Sequence, residues 1–174
     1  MEPEMQRASR IHPAATTRGR ELIRHIVVHH HAYLRRTLPS LQSDLEGIGS
    51  DSQALEARRL FLDLSDELAL HMEKEERILF PAVEQMEREL ENGTAPLPPG
   101  CGLEGPIAQM SFEHQNALAA LGRLLQIVAG RPAAVGAPLG PRFTELADDL
   151  REHIRLEEEE LFPLARRLAG IELG

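Results

Sequence analysis

Residues 71–81 read HMEKEERILFP, and residues 153–163 read HIRLEEEELFP. Six of the eleven positions agree: His71/His153, Glu75/Glu157, Glu76/Glu158, Leu79/Leu161, Phe80/Phe162 and Pro81/Pro163. In each phrase a histidine stands four residues before a glutamate, which sets both side chains on one face of a helix. The repetition reaches further back along the chain. His31 lies 40 residues before His71, and His114 lies 39 residues before His153. Each half thus reads as a helical hairpin with one histidine on its first helix and a His-x-x-x-Glu pair on its second. Two such hairpins packed about a pseudo-twofold axis would bring four histidines and two carboxylates to one level of a shared core.

The flanking sequence supports helices at both places. Three stretches rich in Gly, Pro, Ser and Asn, at 46–52, 91–106 and 129–141, mark connections. Between them lie four segments with apolar residues at three- and four-residue steps, from about Arg18 to Gly47, Ser52 to Leu90, Gly105 to Ala129 and Leu139 to Leu168. Ser52 is the expected N-cap of the second. Pro39, Pro81 and Pro163 fall inside the periodic pattern, so kinks or breaks are expected there. The fold class that follows is all-α, an up-down-up-down four-helix bundle over residues 18–170, preceded by a flexible tail over 1–17.

Composition narrows the function classes. The 174 residues suffice for a single domain with a proper core, and 42% are hydrophobic against 27% charged. A formal charge of −9 speaks against a nucleic-acid surface. No segment approaches the ~20 apolar residues of a membrane span, and the polar N-terminus lacks the pattern of a signal peptide. The single cysteine, Cys101, allows no intramolecular disulfide, and it reads as an exposed loop thiol. A cytoplasmic protein is expected.

The helical stripes carry polar residues where the period calls for apolar ones. The first stripe holds Ile23, Val27, Leu34, Leu38, Leu41 and Leu45. The second runs Leu60, Leu64, Leu68, His71, Glu75, Ile78 and Ala82; the third Ile107, Met110, His114, Leu118, Leu121, Leu125 and Val128; the fourth Phe143, Leu146, Leu150, His153, Glu157, Leu161, Leu164 and Leu168. A lone histidine on such a stripe is ordinarily a satisfied core residue, and a His–Glu pair at this spacing is ordinarily a surface ion pair. Neither reading explains six such residues in two matched sets. Two buried unpaired carboxylates would cost several kcal/mol each, which a metal cation would offset. Imidazole and carboxylate without thiolate suit Fe, Mn or Zn. Two bridging glutamates with terminal histidines make a dinuclear centre; a structural zinc site fits less well, since six ligands exceed its usual four. In the triplet His29-His30-His31, both His30 and His31 match the stripe by spacing, and the internal repeat favours His31. His30 is expected at the boundary, with a place behind the ligands or as a supplementary ligand as alternatives, and His12, His25 and His29 at the surface. Of the run 157–160 only Glu157 is expected to point inward.

These motifs resemble the hemerythrin-like, or HHE cation-binding, family, and the likeness extends from about Arg18 to Leu168. The resemblance implies metal ligation by His31, His71, Glu75, His114, His153 and Glu157, with two non-haem iron ions. HHAYLRRTLP, HMEKEERILFP and HIRLEEEELFP look most like the family's di-iron proteins that repair iron–sulfur clusters after nitric oxide or oxidative stress. Partners implied are a small diatomic ligand, O2 or NO, and damaged iron–sulfur proteins. Two departures stand out. Only about 20 residues precede the first helix, where repair proteins usually have a small cysteine-bearing domain. The 46–52 connection also lacks a further histidine usual near there, so one metal is expected to take water, Glu46 or Asp51 instead. Oxygen-carrying hemerythrins match less well, because Leu118 stands where their third helix has a second histidine. An oxygen- or iron-sensing module is the alternative function.

Overall fold

The computed structural model describes residues 18–93 and 102–170. Among these residues the chain forms four helical rods and no strand. The first rod joins α1 (Arg18–His25), a π-helical stretch (Ile26–His31) and α2 (Ala32–Glu46) without a break. The second joins α3 (Ser52–Lys74), a π stretch (Glu75–Leu79) and α4 (Phe80–Glu91). The third is α5 alone (Glu104–Ala129), regular throughout. The fourth joins α6 (Ala133–Leu156), a π stretch (Glu157–Leu161) and α7 (Phe162–Leu168). α2 packs on α3 while α1 packs on α4, and α3 packs on α5, which packs on α6. The rods therefore alternate in direction, as an up-down-up-down bundle requires.

The prolines act differently from the expectation of kinks or breaks. Pro39 lies within continuous α2. Pro81 and Pro163 each sit in the first turn of a helix that follows a π stretch. Lacking an N–H, Pro81 cannot bond the carbonyl four residues back, and its ring crowds that carbonyl. The turn before it widens, so that the Phe80 N–H bonds the Glu75 carbonyl, five residues back; Phe162 and Glu157 repeat the arrangement. One residue is absorbed in each stretch, so the buried positions shift by one along the sequence while the rod keeps the same face to the core. Hence Ile78, expected on the core stripe, is exposed, while Leu79 and Phe80 are buried. In the first rod Ile26 is fully buried and Val27 only partly. In the third, Leu118 and Leu125 flank the core, and Ala117 and Leu124 fill it.

Two boundaries also differ. The fourth rod begins at Ala133, not near Leu139, and Pro138 and Pro141 are accommodated in its early turns. The second rod is capped by Asp51, not Ser52: its carboxylate accepts from the Ala54 N–H at 3.0 Å. Arg131 also holds that carboxylate, at 2.6 Å, and so ties the 46–52 connection to the turn before the fourth rod. At the opposite end of the bundle the buried Glu87 accepts from the N–H groups of Gly19 and Arg20, at 2.7 and 3.0 Å. Those are orphan donors at the start of the first rod. A methyl group on Gly19 would meet Glu87 Oε1 at 2.5 Å, so only glycine admits this approach. His12 and Cys101 lie outside the described residues.

The core is divided. One apolar cluster, from Leu34 and Leu41 through Phe61 and Phe143 to Leu150, fills one end of the bundle. A second, with Ile26, Leu79, Phe80, Ile107, Leu161 and Phe162, fills the other. The buried polar residues His30, His31, His71, Glu75, His114, His153 and Glu157 belong to neither cluster.

Candidate metal centre

All six residues singled out from the repeat are buried and meet in this polar layer. Their relative exposures are 4% for His114, 2% for His71, 1% for His153 and 0% for His31, Glu75 and Glu157. The first rod supplies His31 at the end of its π stretch, and the third supplies His114 from regular helix. The second and fourth supply His71 with Glu75 and His153 with Glu157, each glutamate opening a π stretch.

The donor atoms form two sets that share both glutamates. His31, His153, Glu75 and Glu157 offer atoms within 4.8 Å of one another, and so do His71, His114, Glu75 and Glu157. The Glu75 oxygens lie 3.3 Å from His31 Nε2 and 3.3 Å from His71 Nε2. The Glu157 oxygens lie 3.0 Å from His153 Nε2 and 3.0 Å from His114 Nε2. Each carboxylate therefore spans from one set to the other. Within each set the imidazoles meet nitrogen to nitrogen, His31 to His153 at 3.3 Å and His71 to His114 at 3.0 Å. Such a pair can share one proton but has no room for two.

This layer is short of positive charge. Both Glu75 oxygens and one Glu157 oxygen are buried without an aligned hydrogen-bond donor, a costly state for carboxylates. Burial works against an imidazolium at His71, yet Glu75, Glu157 and Glu113 outweigh it and raise that ring to about 9. His153 is raised likewise against its burial, by Glu157 and Glu75. Burial opposes ionisation of Glu157, but His153 and His114 hold it well below the usual carboxylate range. The acids thus recruit cations, as protons on the rings or as metal ions. Eight converging nitrogen and oxygen donors with no thiolate fit hard or borderline metals.

The far sides of the rings reveal residues that the sequence reading missed. His31 Nδ1 donates to Glu76 at 2.6 Å, His114 Nδ1 to Glu158 at 2.9 Å, and His71 Nδ1 to Glu113 at 2.9 Å. A carboxylate on Nδ1–H fixes the tautomer and turns Nε2 toward the centre. Glu158, read as solvated, is therefore engaged. It reaches sideways from the fourth rod to the third, as Glu76 reaches from the second to the first. The signal was available, since Glu76 and Glu158 are identical positions of the repeated phrase. Glu113 carries a hint only in standing next to His114. Burial would raise its carboxyl, but hydrogen bonds from Lys74, Gln109 and His71 prevail and bring it to about 2.

Phe80 and Phe162 stack on His31 and His114, at centroid separations of 5.8 and 6.0 Å. Every repeated letter of the opening phrase now has a place: donor, bridge, orienting acid, core leucine, stacking ring and the proline behind the widened turn. His30 is buried rather than at the boundary. Its Nδ1 pairs with Asp149 at 3.0 Å, and its ring stacks on His153. His25 and His29 are exposed, as expected. Glu46 and Asp51 are exposed beside the first connection, where Asp51 caps α3, so neither joins the layer. The expectation of one set short of a ligand fails with them: each set has two histidines and the same two glutamates. A cavity of about 10 Å³ borders His71, Glu113, His114 and His153, with Glu67, Leu68, Ala117 and Leu150 completing its wall. That is room for one water-sized molecule.

A four-rod bundle with His and His-x-x-x-Glu ligand candidates on alternating helices defines a class of cation-binding proteins. Residues 22–165 match the hemerythrin HHE cation binding domain, and the chain belongs to that family. It is 34% identical over 166 residues to the iron-sulfur cluster repair protein YtfE of Escherichia coli O157:H7, covering 86% of this chain and 66% of that protein. The protein of the same name from Enterobacter sp. (strain 638) is 35% identical over 167 residues, with the same coverage. The chain thus spans 66% of the length of these curated relatives. Among the described residues, no helix is long and apolar enough to cross a membrane.

Proposed function

We propose that His31, His71, Glu75, His114, His153 and Glu157 hold two iron ions and that the protein serves the repair of iron–sulfur clusters damaged by nitric oxide or oxidative stress. The observation that carries the reading is the pair of donor sets sharing Glu75 and Glu157. Bundle cores suit dinuclear carboxylate sites, and the relatives are named for cluster repair. Residues 18–170 form the functional unit, and the cytoplasm, where thiols stay reduced, is its setting.

When bound, an iron pair supplies redox chemistry and open positions for a small ligand, O2 or NO. The chain's own part is to position and to insulate. Glu75 and Glu157 would be shared between the two ions, and the four Nε2 atoms would complete the two donor sets. Glu76, Glu113 and Glu158 keep three of those rings turned inward. The two apolar clusters exclude bulk water above and below. The small cavity beside His71 and His114 leaves room for one water-sized molecule next to the layer.

The test is anaerobic reconstitution with excess ferrous iron, followed by elemental analysis and by incubation with a cluster-free acceptor protein. Two ions per chain and transfer of iron to the acceptor are expected. One ion or none would end the dinuclear reading. Two ions with stable, reversible oxygen absorption bands and no transfer would point to a sensing or binding module, with damaged iron–sulfur proteins no longer partners.

A further inference from the structure

We infer that the two metal positions are held unequally, and that the ion between His31 and His153 is the one this chain gives up first. The inference rests on the dinuclear reading above and identifies which half of that centre is available for transfer.

Three of the four ligand histidines donate Nδ1–H to a carboxylate: His31 to Glu76, His71 to Glu113 and His114 to Glu158. The fourth, His153, is buried with Nδ1 lacking any hydrogen-bond partner among the described residues. Such a partner strengthens the imidazole as a donor and locks its orientation, and its loss typically costs about 10- to 100-fold in metal affinity. The position between His71 and His114 has two such partners, whereas the position between His31 and His153 has one.

The pseudo-twofold axis explains the gap. It exchanges His31 with His114 and His71 with His153, so Glu76 on His31 matches Glu158 on His114. The same operation matches Glu113, the residue before His114, to His30, the residue before His31. Where the second hairpin has a carboxylate reaching the ligand of its neighbour, the first has a histidine. His30 commits its Nδ1 to Asp149 at 3.0 Å and lays its ring on that of His153, 5.5 Å away and tilted by 12°. A ring face accepts no in-plane N–H bond, so His153 is packed but not oriented. Glu113, by contrast, is itself held by Lys74 and Gln109.

The experiment loads the 174-residue chain with ferrous iron without oxygen, counts the ions, and then follows release to an excess of ferrous chelator. Two phases of equal amplitude are expected, separated by about tenfold or more. Glu113→Gln and Glu158→Gln should each speed the slow phase toward the fast one. Glu76→Gln should speed the fast phase and leave the slow one in place. His30→Glu with Asp149→Asn, which offers His153 the missing acceptor, should slow the fast phase. Fewer than two ions bound at the outset would sink the dinuclear reading and this inference with it. Two ions released in one phase would overturn the inference alone, as would a slow phase that responds to Glu76→Gln and ignores Glu113→Gln. Unchanged helical circular dichroism in each variant separates these outcomes from unfolding.

Discussion

The two hairpins place equivalent side chains by different backbone routes. In the second, His114 projects from a regular α-helix that runs unbroken from Glu104 to Ala129. In the first, His31 closes a π-helical stretch of six residues. Both rings nevertheless end within reach of a bridging glutamate, an orienting acid and a stacking phenylalanine. Helical phase alone does not explain this convergence, because the π stretch shifts the phase by one residue. What the halves share is the set of partners around each ring, and those partners fix the layer.

If the halves are equivalent at the bridges, Glu75→Ala and Glu157→Ala should be equally severe. Each glutamate faces both sets, so either change should take metal content from two ions per chain to below one by elemental analysis. Retention of two ions by either variant would break the equivalence. The next effect is smaller. Glu76→Gln and Glu158→Gln should weaken binding by about 10- to 100-fold each, measured by competition with a calibrated chelator. Glu159→Gln should leave it unchanged, since Glu159 is exposed and its ion pair among the described residues is with Arg155, at 3.5 Å.

A pH series on metal-free protein tests whether both hairpins bring proton demand to the layer. His71 is raised to about 9 despite burial, by Glu75, Glu157 and Glu113, and His153 is raised as well. A ring whose pKa is higher folded than unfolded contributes stability fully below its ordinary value near 6.5, and that contribution is lost as pH climbs to about 9. The melting temperature of the metal-free chain should therefore fall by several degrees over that interval. Metal-loaded chain, with cations in place of those protons, should stay level. Both His71→Ala and His153→Ala should flatten the slope, and a slope abolished by one and untouched by the other would separate the hairpins. The smallest difference concerns the stacking rings. Phe80→Leu and Phe162→Leu should each cost on the order of 1 kcal/mol by chemical denaturation, and the two costs should agree.

How far the sequence could be read follows from what its periodicity assumes. Six ligand candidates were visible because they repeat, and because polar residues on an apolar stripe need a reason. The bundle was visible from the stripes themselves. The fourth rod's start was hidden by Pro138 and Pro141, whose turn-like composition is compatible with early helical positions. Ile78 and Val27 were misplaced because a 3.6-residue period presumes α pitch throughout, and the π stretches break it. Periodicity puts Glu158 on the solvated face because a 100° rotation from Glu157 leaves the core stripe. That angle reckons only with the bundle axis, not with the neighbouring rod, and it is toward the neighbouring ring that the side chain reaches. His30 was ambiguous for the same reason, and only the packing of the fourth rod resolves it.

The widened turns have a further consequence, for chain length. A π stretch is an α-helix that has taken in one additional residue, and three of the four rods contain one. In the second rod the surplus lies after the first bridge, among residues that include the exposed Ile78. Deleting Ile78 would restore α pitch while leaving His71 and Glu75 in register with everything before them. Beyond the deletion the rod would keep its facing, since the lost residue is the surplus one that the widened turn had absorbed, so Phe80 would stay against His31 and Val83 in the core. The widened turn thus works as a local change of gear, taking up a surplus residue while the helix beyond it keeps one facing. Two-dimensional NMR of the metal-free deletion variant would show it as shifts confined to residues around the cut, with the rest of the rod and its contacts nearly unmoved.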